Sequence, residues 1–149
     1  MKTLILASAI TRAGKKLINE ILEDYNISYI DYHLLYFLEK NPGETQYNIL
    51  KSTLQTKSRI NQLIRKLENL GYLEKKAVLV GALLKKPLYL TESGKEIVSK
   101  GRDIIYSHTL EKLTKEERES YKKYNEKMVE ILINMRGSLG VKIPEFYKI

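Results

Sequence analysis

At 149 residues the chain is long enough for one domain with a real hydrophobic core and too short for two. Its 43% hydrophobic and 30% charged residues exclude a disordered polymer, and no apolar stretch approaches the ~20 residues that span a bilayer. The absence of cysteine excludes disulfides and thiolate metal sites, while 26 Lys+Arg against 18 Asp+Glu give a net charge of +8 that suits a polyanionic partner or a merely soluble surface.

The chain opens with a short apolar run, Leu4 to Ala9, that looks a little like an export signal. Thr11-Arg12 and Lys15-Lys16 follow where a cleavage region should lie. Leu4, Ala7, Ile10, Leu17, Ile21 and Leu22 share one face, so an amphipathic helix over 2–25 is expected, stopped at Asn26. Ser28 can cap a second helix with Asp31 in its first turn, carrying Ile30, Leu34, Leu35, Phe37 and Leu38. Asn41-Pro42-Gly43 ends it.

Thr45 caps a short third helix reaching about residue 54. A fourth begins near Thr56 and sets Ile60, Leu63, Ile64, Leu67 and Leu70 on one face until Gly71 stops it. The period then changes. Tyr72-Leu73 and Ala77-Val78-Leu79-Val80 read as strand, Gly81 as a turn, and Leu88-Tyr89-Leu90 as the returning strand, with Pro87 at an edge. Thr91 caps a long helix to about residue 113. Thr114 to Glu117 has the form of a capping box before a last helix to about residue 135, which carries Tyr124, Met128, Ile131, Leu132 and Met135. Gly137 and Gly140 end that helix, and a tail with Ile143, Phe146 and Tyr147 follows. The fold expected is mainly α with a small β-hairpin wing. It is a single domain over 1–149, with a winged helix-turn-helix lobe over 27–91 in a dimerisation frame of helices and tail over 1–26 and 92–149.

The fourth helix carries the functional signal. Its outward faces bear Lys57, Ser58, Arg59, Asn61, Gln62, Arg65 and Lys66, the first five near its amino end. A helix entering a major groove applies its amino-terminal residues to base edges. Arg suits guanine, Asn and Gln suit adenine, and Ser bonds bases or phosphates. Lys57 and Lys66 are better suited to phosphates. Residues 57–86 hold eight cations and two acids, a net +6 of the chain's +8, and a merely solubilising surface would mix its signs more evenly.

With these segments in order, the sequence resembles the MarR family over about residues 27–132. The matching pieces are Thr45-Gln46, Lys57-Ser58-Arg59-Ile60, Leu67-Glu68-Asn69-Leu70-Gly71-Tyr72-Leu73, Leu90-Thr91-Glu92-Ser93-Gly94-Lys95 and Leu113-Thr114-Lys115-Glu116-Glu117. The resemblance implies a cytoplasmic, prokaryotic transcription regulator that binds double-stranded DNA as a homodimer on a pseudo-palindromic operator, usually as a repressor. It also implies interlocked outer helices, and the apolar tail either covers the partner or seals its own subunit. The wing departs from the family. Where an Asp-x-Arg motif is usual, the chain reads Val80-Gly81-Ala82-Leu83-Leu84-Lys85-Lys86-Pro87. Lys85 and Lys86 are therefore expected on phosphates, because Lys fits a narrow groove less well than planar Arg. The apolar tip either folds back or meets a partner.

Eleven tyrosines against two phenylalanines, with Tyr25, Tyr29, Tyr32 and Tyr36 around the second helix, admit a small aromatic effector; half-buried packing is the stronger explanation. Asp31 and His33 do not share a helical face, so no metal is expected, nor any cofactor. No phosphate loop, nucleophile elbow or His-Glu-x-x-His pattern is present, and no catalytic activity is expected. An architectural DNA-binding protein with little sequence preference remains the alternative.

Overall fold

In a computed structural model of the chain, the described residues are 2–52 and 55–138. Helix α1, Lys2–Ile21, runs into a 3-10 turn at Glu23–Tyr25. Asn26 then adopts the left-handed conformation at φ 56°, which asparagine tolerates better than most residues, and the chain reverses there. The expected stop is thus at Asn26, but the regular helix is a turn shorter than the periodicity suggests.

Helix α2, Tyr29–Lys40, begins with a capping box. The Ser28 backbone N–H donates to Asp31 Oδ2 at 2.8 Å, and Ser28 Oγ accepts, at a long 3.5 Å, from the Asp31 N–H. Tyr32, Leu34, Leu35, Phe37 and Leu38 are all buried, making α2 the central rod of the core. Helix α5, Glu92–Thr109, packs along it through Ile97 and Val98. Burial pushes the Tyr32 phenol up to about 12, so it stays neutral, its hydroxyl 3.4 Å from the Val98 carbonyl.

Helices α3, Gln46–Ser52, and α4, Lys57–Asn69, form the helix-turn-helix. Thr45 Oγ1 accepts from the Asn48 N–H at 3.3 Å and Thr56 Oγ1 from the Arg59 N–H at 3.2 Å, so each helix start is fixed by its own threonine. Ile60, Leu63, Ile64 and Leu67 bury one face of α4, each worth roughly 1.5–3 kcal/mol. The helix closes with Gly71 at φ 74°, Tyr72 N–H donating to the Leu67 carbonyl and Gly71 N–H to the Glu68 carbonyl. This is a Schellman motif, which needs a residue free to turn left-handed.

The wing has two antiparallel steps. Strands β1, Leu73–Lys75, and β4, Leu88–Leu90, pair at its base, where Leu73 and Leu88 are buried. Strands β2, Val78–Val80, and β3, Leu83–Lys85, pair at its tip. Leu83 and Leu84, expected only as part of the apolar tip, form a strand. Gly43 N–H donates to the Leu88 carbonyl and Leu88 N–H to the Glu44 carbonyl, both at 2.9 Å. This bridge seats the wing base beside the start of α3.

Helix α6, Lys115–Ser138, starts on the expected capping box: Thr114 N–H donates to Glu117 Oε2 at 2.8 Å, and Glu117 N–H to Thr114 Oγ1 at 3.2 Å. Helix α5 ends short of the expected 113. Arg118 closes the α5–α6 turn by donating to the carbonyls of Leu110, Glu111 and Leu113. The outer helices are largely uncovered. Leu4, Ile5, Leu6 and Ile10 of α1 and Tyr124, Ile131 and Met135 of α6 are exposed, while α1 buries Ile18, next to the expected Leu17. The tail residues Ile143, Phe146 and Tyr147, with Gly140, lie outside the described residues. No helix among the described residues is long and apolar enough to cross a membrane.

Candidate nucleic-acid interface

The polar face of α4 emerges as the mirror of its buried face. Lys57, Ser58, Arg59, Gln62 and Arg65 are exposed, and Asn61 is half-exposed. Ser58, Gln62 and Arg65 follow each other at helical spacing along one stripe, with Arg59 beside it. Thr56 caps the helix start, and the positive end of the helix dipole there favours an anionic partner.

Charge pairing divides the eight cations of residues 57–86 into two groups. Lys75 holds Glu68 at 2.7 Å and Lys76 holds Glu74 at 3.0 Å, so both acids of the segment are neutralised internally. Lys66 turns inward to Asp31 Oδ2 at 2.5 Å. Among the described residues Lys57, Arg59, Arg65, Lys85 and Lys86 have no carboxylate partner. The expectation for Lys66 therefore needs correction: it is half-buried and neutralises a carboxylate that is only 1% exposed, rather than standing free for a phosphate.

Lys85 and Lys86 lie on the wing, and with Lys75, Leu83 and Leu84 they wall a groove of about 740 Å³ whose other side is Thr45 to Asn48 at the start of α3. Tyr47, 63% exposed, sits between this groove and α4, and Lys51 lies 4.2 Å over its ring. Gln46 and Tyr47 also line the hollow that reaches Lys57 and Ile60. The surface therefore runs unbroken from α4 across α3 to the wing. Tyr47 and Asn48 were not among the residues expected to form the site. The available signal was an aromatic side chain beside polar Gln46 and Asn48 at the start of the short helix that precedes α4.

The tyrosines near α2 are engaged with protein groups. Tyr25 accepts from Lys100 Nζ at 2.6 Å, Tyr29 stacks on His33, and Tyr32 stacks on Tyr36.

Residues 25–78 match the MarR family model, a span that holds α2, the helix-turn-helix and the first strand of the wing. Over this span the chain is similar to MarR-family proteins. Solved structures agree with the chain along most of its length. The crystal structure of the Staphylococcus aureus MepR–DNA complex is 25% identical, with a TM-score of 0.67 over 87% of this chain and 97% of that one. MepR itself, a transcription regulator of the Staphylococcus aureus multidrug efflux pump MepA, is 27% identical at a TM-score of 0.61, covering 85% and 96%. A MarR protein from Peptoclostridium difficile shares the fold at a TM-score of 0.72 and 20% identity, covering 93% and 92%. No curated protein sequence matches the chain.

Proposed function

We propose that this DNA-binding transcription regulator works as a homodimeric repressor that reads a pseudo-palindromic operator with α4 in the major groove. The observation that carries the reading is the partition of charge: both acids near α4 are neutralised, and the cations left over lie on α4 and the wing. A free cation beside phosphates gains by releasing condensed counterions, and one already holding a carboxylate gains much less. The crystal structure of the MepR–DNA complex, on a related chain, supports the same assignment. Arg59, Asn61 and Gln62 read base edges; Lys57, Arg65, Lys85 and Lys86 hold the backbone.

The exposed apolar residues at the start of α1 and along α6 support a dimer, since one copy of the chain leaves them in water. Two-fold symmetry would space the α4 helices about one DNA turn, ~34 Å, apart.

The test is fluorescence-anisotropy titration of the full chain against a duplex selected in vitro from a random library, beside a scrambled duplex, at several salt concentrations. A preference of at least ~10³-fold establishes a specific regulator, and equal, steeply salt-dependent binding establishes an architectural protein instead. Within the specific reading, Arg59→Ala and Asn61→Ala each lower discrimination by ~1–3 kcal/mol. Loss of equal size on both duplexes would remove the base-reading role. Lys85→Ala weakens both duplexes alike and reduces the salt slope by about 1; an unchanged slope would remove Lys85 from the backbone contacts.

A further inference from the structure

The tip of the wing carries aliphatic side chains on both faces. In the β2–β3 ladder Leu79 faces Leu84, Val80 faces Leu83, and Val78 faces Lys85. Cross-strand partners share a face and successive residues alternate, so Leu79 and Leu84 lie on one side and Val80 and Leu83 on the other. All four are more than half exposed, Leu79 at 75%. Neither side is laid on the lobe, so the tip is not core. The turn is Gly81-Ala82 with Gly81 at φ 63°, which joins the strands through only two residues and keeps the end narrow.

The surroundings of the tip select its occupant. Its stalk carries Lys75, Lys76, Lys85 and Lys86, and the last two have no carboxylate partner among the described residues. Leu83 and Leu84 share a groove with Lys85, Lys86 and Tyr47, and Tyr47 adjoins the start of α4. An apolar protein partner has no need of a cationic stalk, whereas a duplex held by Arg59 and Lys57 meets that stalk along its backbone. Aliphatic side chains cannot hydrogen-bond base edges. Between two base pairs, however, they replace stacking contacts and leave water, which is how apolar wedges open a step and bend a duplex.

We propose that the wing tip is an apolar wedge, led by Leu79 and Leu84, that enters a base step beside the α4 contact and kinks the DNA. The wedge rests on the DNA-binding reading. It replaces hydrogen-bonded reading in the groove by indirect reading: steps that unstack easily, such as TA and CA/TG, are favoured at a position no polar side chain touches.

The experiment uses the full chain and the in-vitro-selected duplex, labelled at its ends for energy transfer and carrying 2-aminopurine at successive flanking positions. Wild type is expected to raise transfer and to brighten 2-aminopurine at one step in each half-site. The double variant Leu79→Ser/Leu84→Ser, at exposed positions, is expected to keep the wild-type melting curve, to lose both signals and to bind at least 10-fold more weakly. Lys85→Ala binds more weakly but keeps both signals. A straight duplex with wild type, or unchanged signals with the double variant, overturns the wedge while the anisotropy leaves DNA binding standing. Failure of wild type to bind any duplex overturns both. If the double variant instead loses flotation with anionic phosphatidylserine vesicles and not the DNA signals, the tip meets a lipid surface and the wedge is likewise overturned.

Discussion

Replacing Gly94 with alanine is expected to destabilise the protein by about 2–3 kcal/mol, although the same change in most helices stabilises by up to ~1 kcal/mol. Gly94 lies in the first turn of α5, where its N–H donates to Thr91 Oγ1 at 3.1 Å. Thr91 in turn donates its hydroxyl to the Gly71 carbonyl at 2.6 Å and its N–H to the Tyr72 carbonyl at 3.2 Å. These bonds draw α5 onto the turn that ends α4. A Cβ at residue 94 would lie 2.0 Å from the Tyr72 carbonyl oxygen and 3.0 Å from its carbon. Those are backbone atoms, so no side-chain rotation relieves the clash. Helix α5 must move off, and the Thr91 bonds go with it. A loss of this size lowers the melting temperature of a 150-residue domain by about 4–12 °C. Gly14→Ala is the control, because nothing lies within 4 Å of a Cβ there, and it leaves or slightly raises the melting temperature. If both variants melt like wild type in scanning calorimetry, the packing of α5 against Tyr72 is looser than its geometry.

This close approach gives a physical content to the segment Leu90 to Lys95, one of those through which the sequence resembles the MarR family. Motifs of this kind are legible because they are local. Ser28, Thr45, Thr56, Thr91 and Thr114 each cap the helix that follows, and each cap involves atoms three residues apart. The stop at Gly71 is equally local. What the sequence leaves hidden depends on distance or on absence. The second strand of the wing tip was hidden because Val78 to Val80 and Leu83 to Leu84 are apolar on both faces, and the alternation that marks a half-buried strand is missing. The periodicity of α1 shows that one side is apolar but not what covers it, and the structure buries Ile18 and Leu22 while Leu4 and Ile10 remain exposed. In the site, the exposed face of α4 follows directly from its buried face. The groove linking Tyr47 to the wing does not, because it is made by the Glu44–Leu88 bridge across 44 residues of chain.

Lys66 is the clearest case of a role set by distance, and its replacement is the second large effect expected. Lys66→Ala should cost about 2–3 kcal/mol of stability while leaving the salt dependence of DNA binding unchanged. Arg65→Ala, one residue away, should do the reverse: little change in stability, and a salt slope smaller by about 1. Asp31 is buried and accepts from Ser28 N–H, Ser28 Oγ and Lys66 Nζ, all on Oδ2. Its Oδ1 has no partner among the described residues. Removing Lys66 leaves a buried carboxylate with only neutral donors, the expensive side of a broken pair. The Lys66 side chain is itself 35% exposed, so the cost falls below the ~3–5 kcal/mol of a fully buried pair. Asp31→Asn is milder, because an amide oxygen still accepts from Ser28 and the freed ammonium reaches water. The pair also joins the start of α2, at the centre of the core, to the last turn of α4, and so fixes the angle at which α4 presents Arg59 and Gln62. Urea unfolding of Lys66→Ala, Asp31→Asn and the double variant closes a cycle. A coupling energy below ~0.5 kcal/mol would mean that the two residues act independently, and a reduced salt slope in Lys66→Ala would return Lys66 to the phosphate contacts.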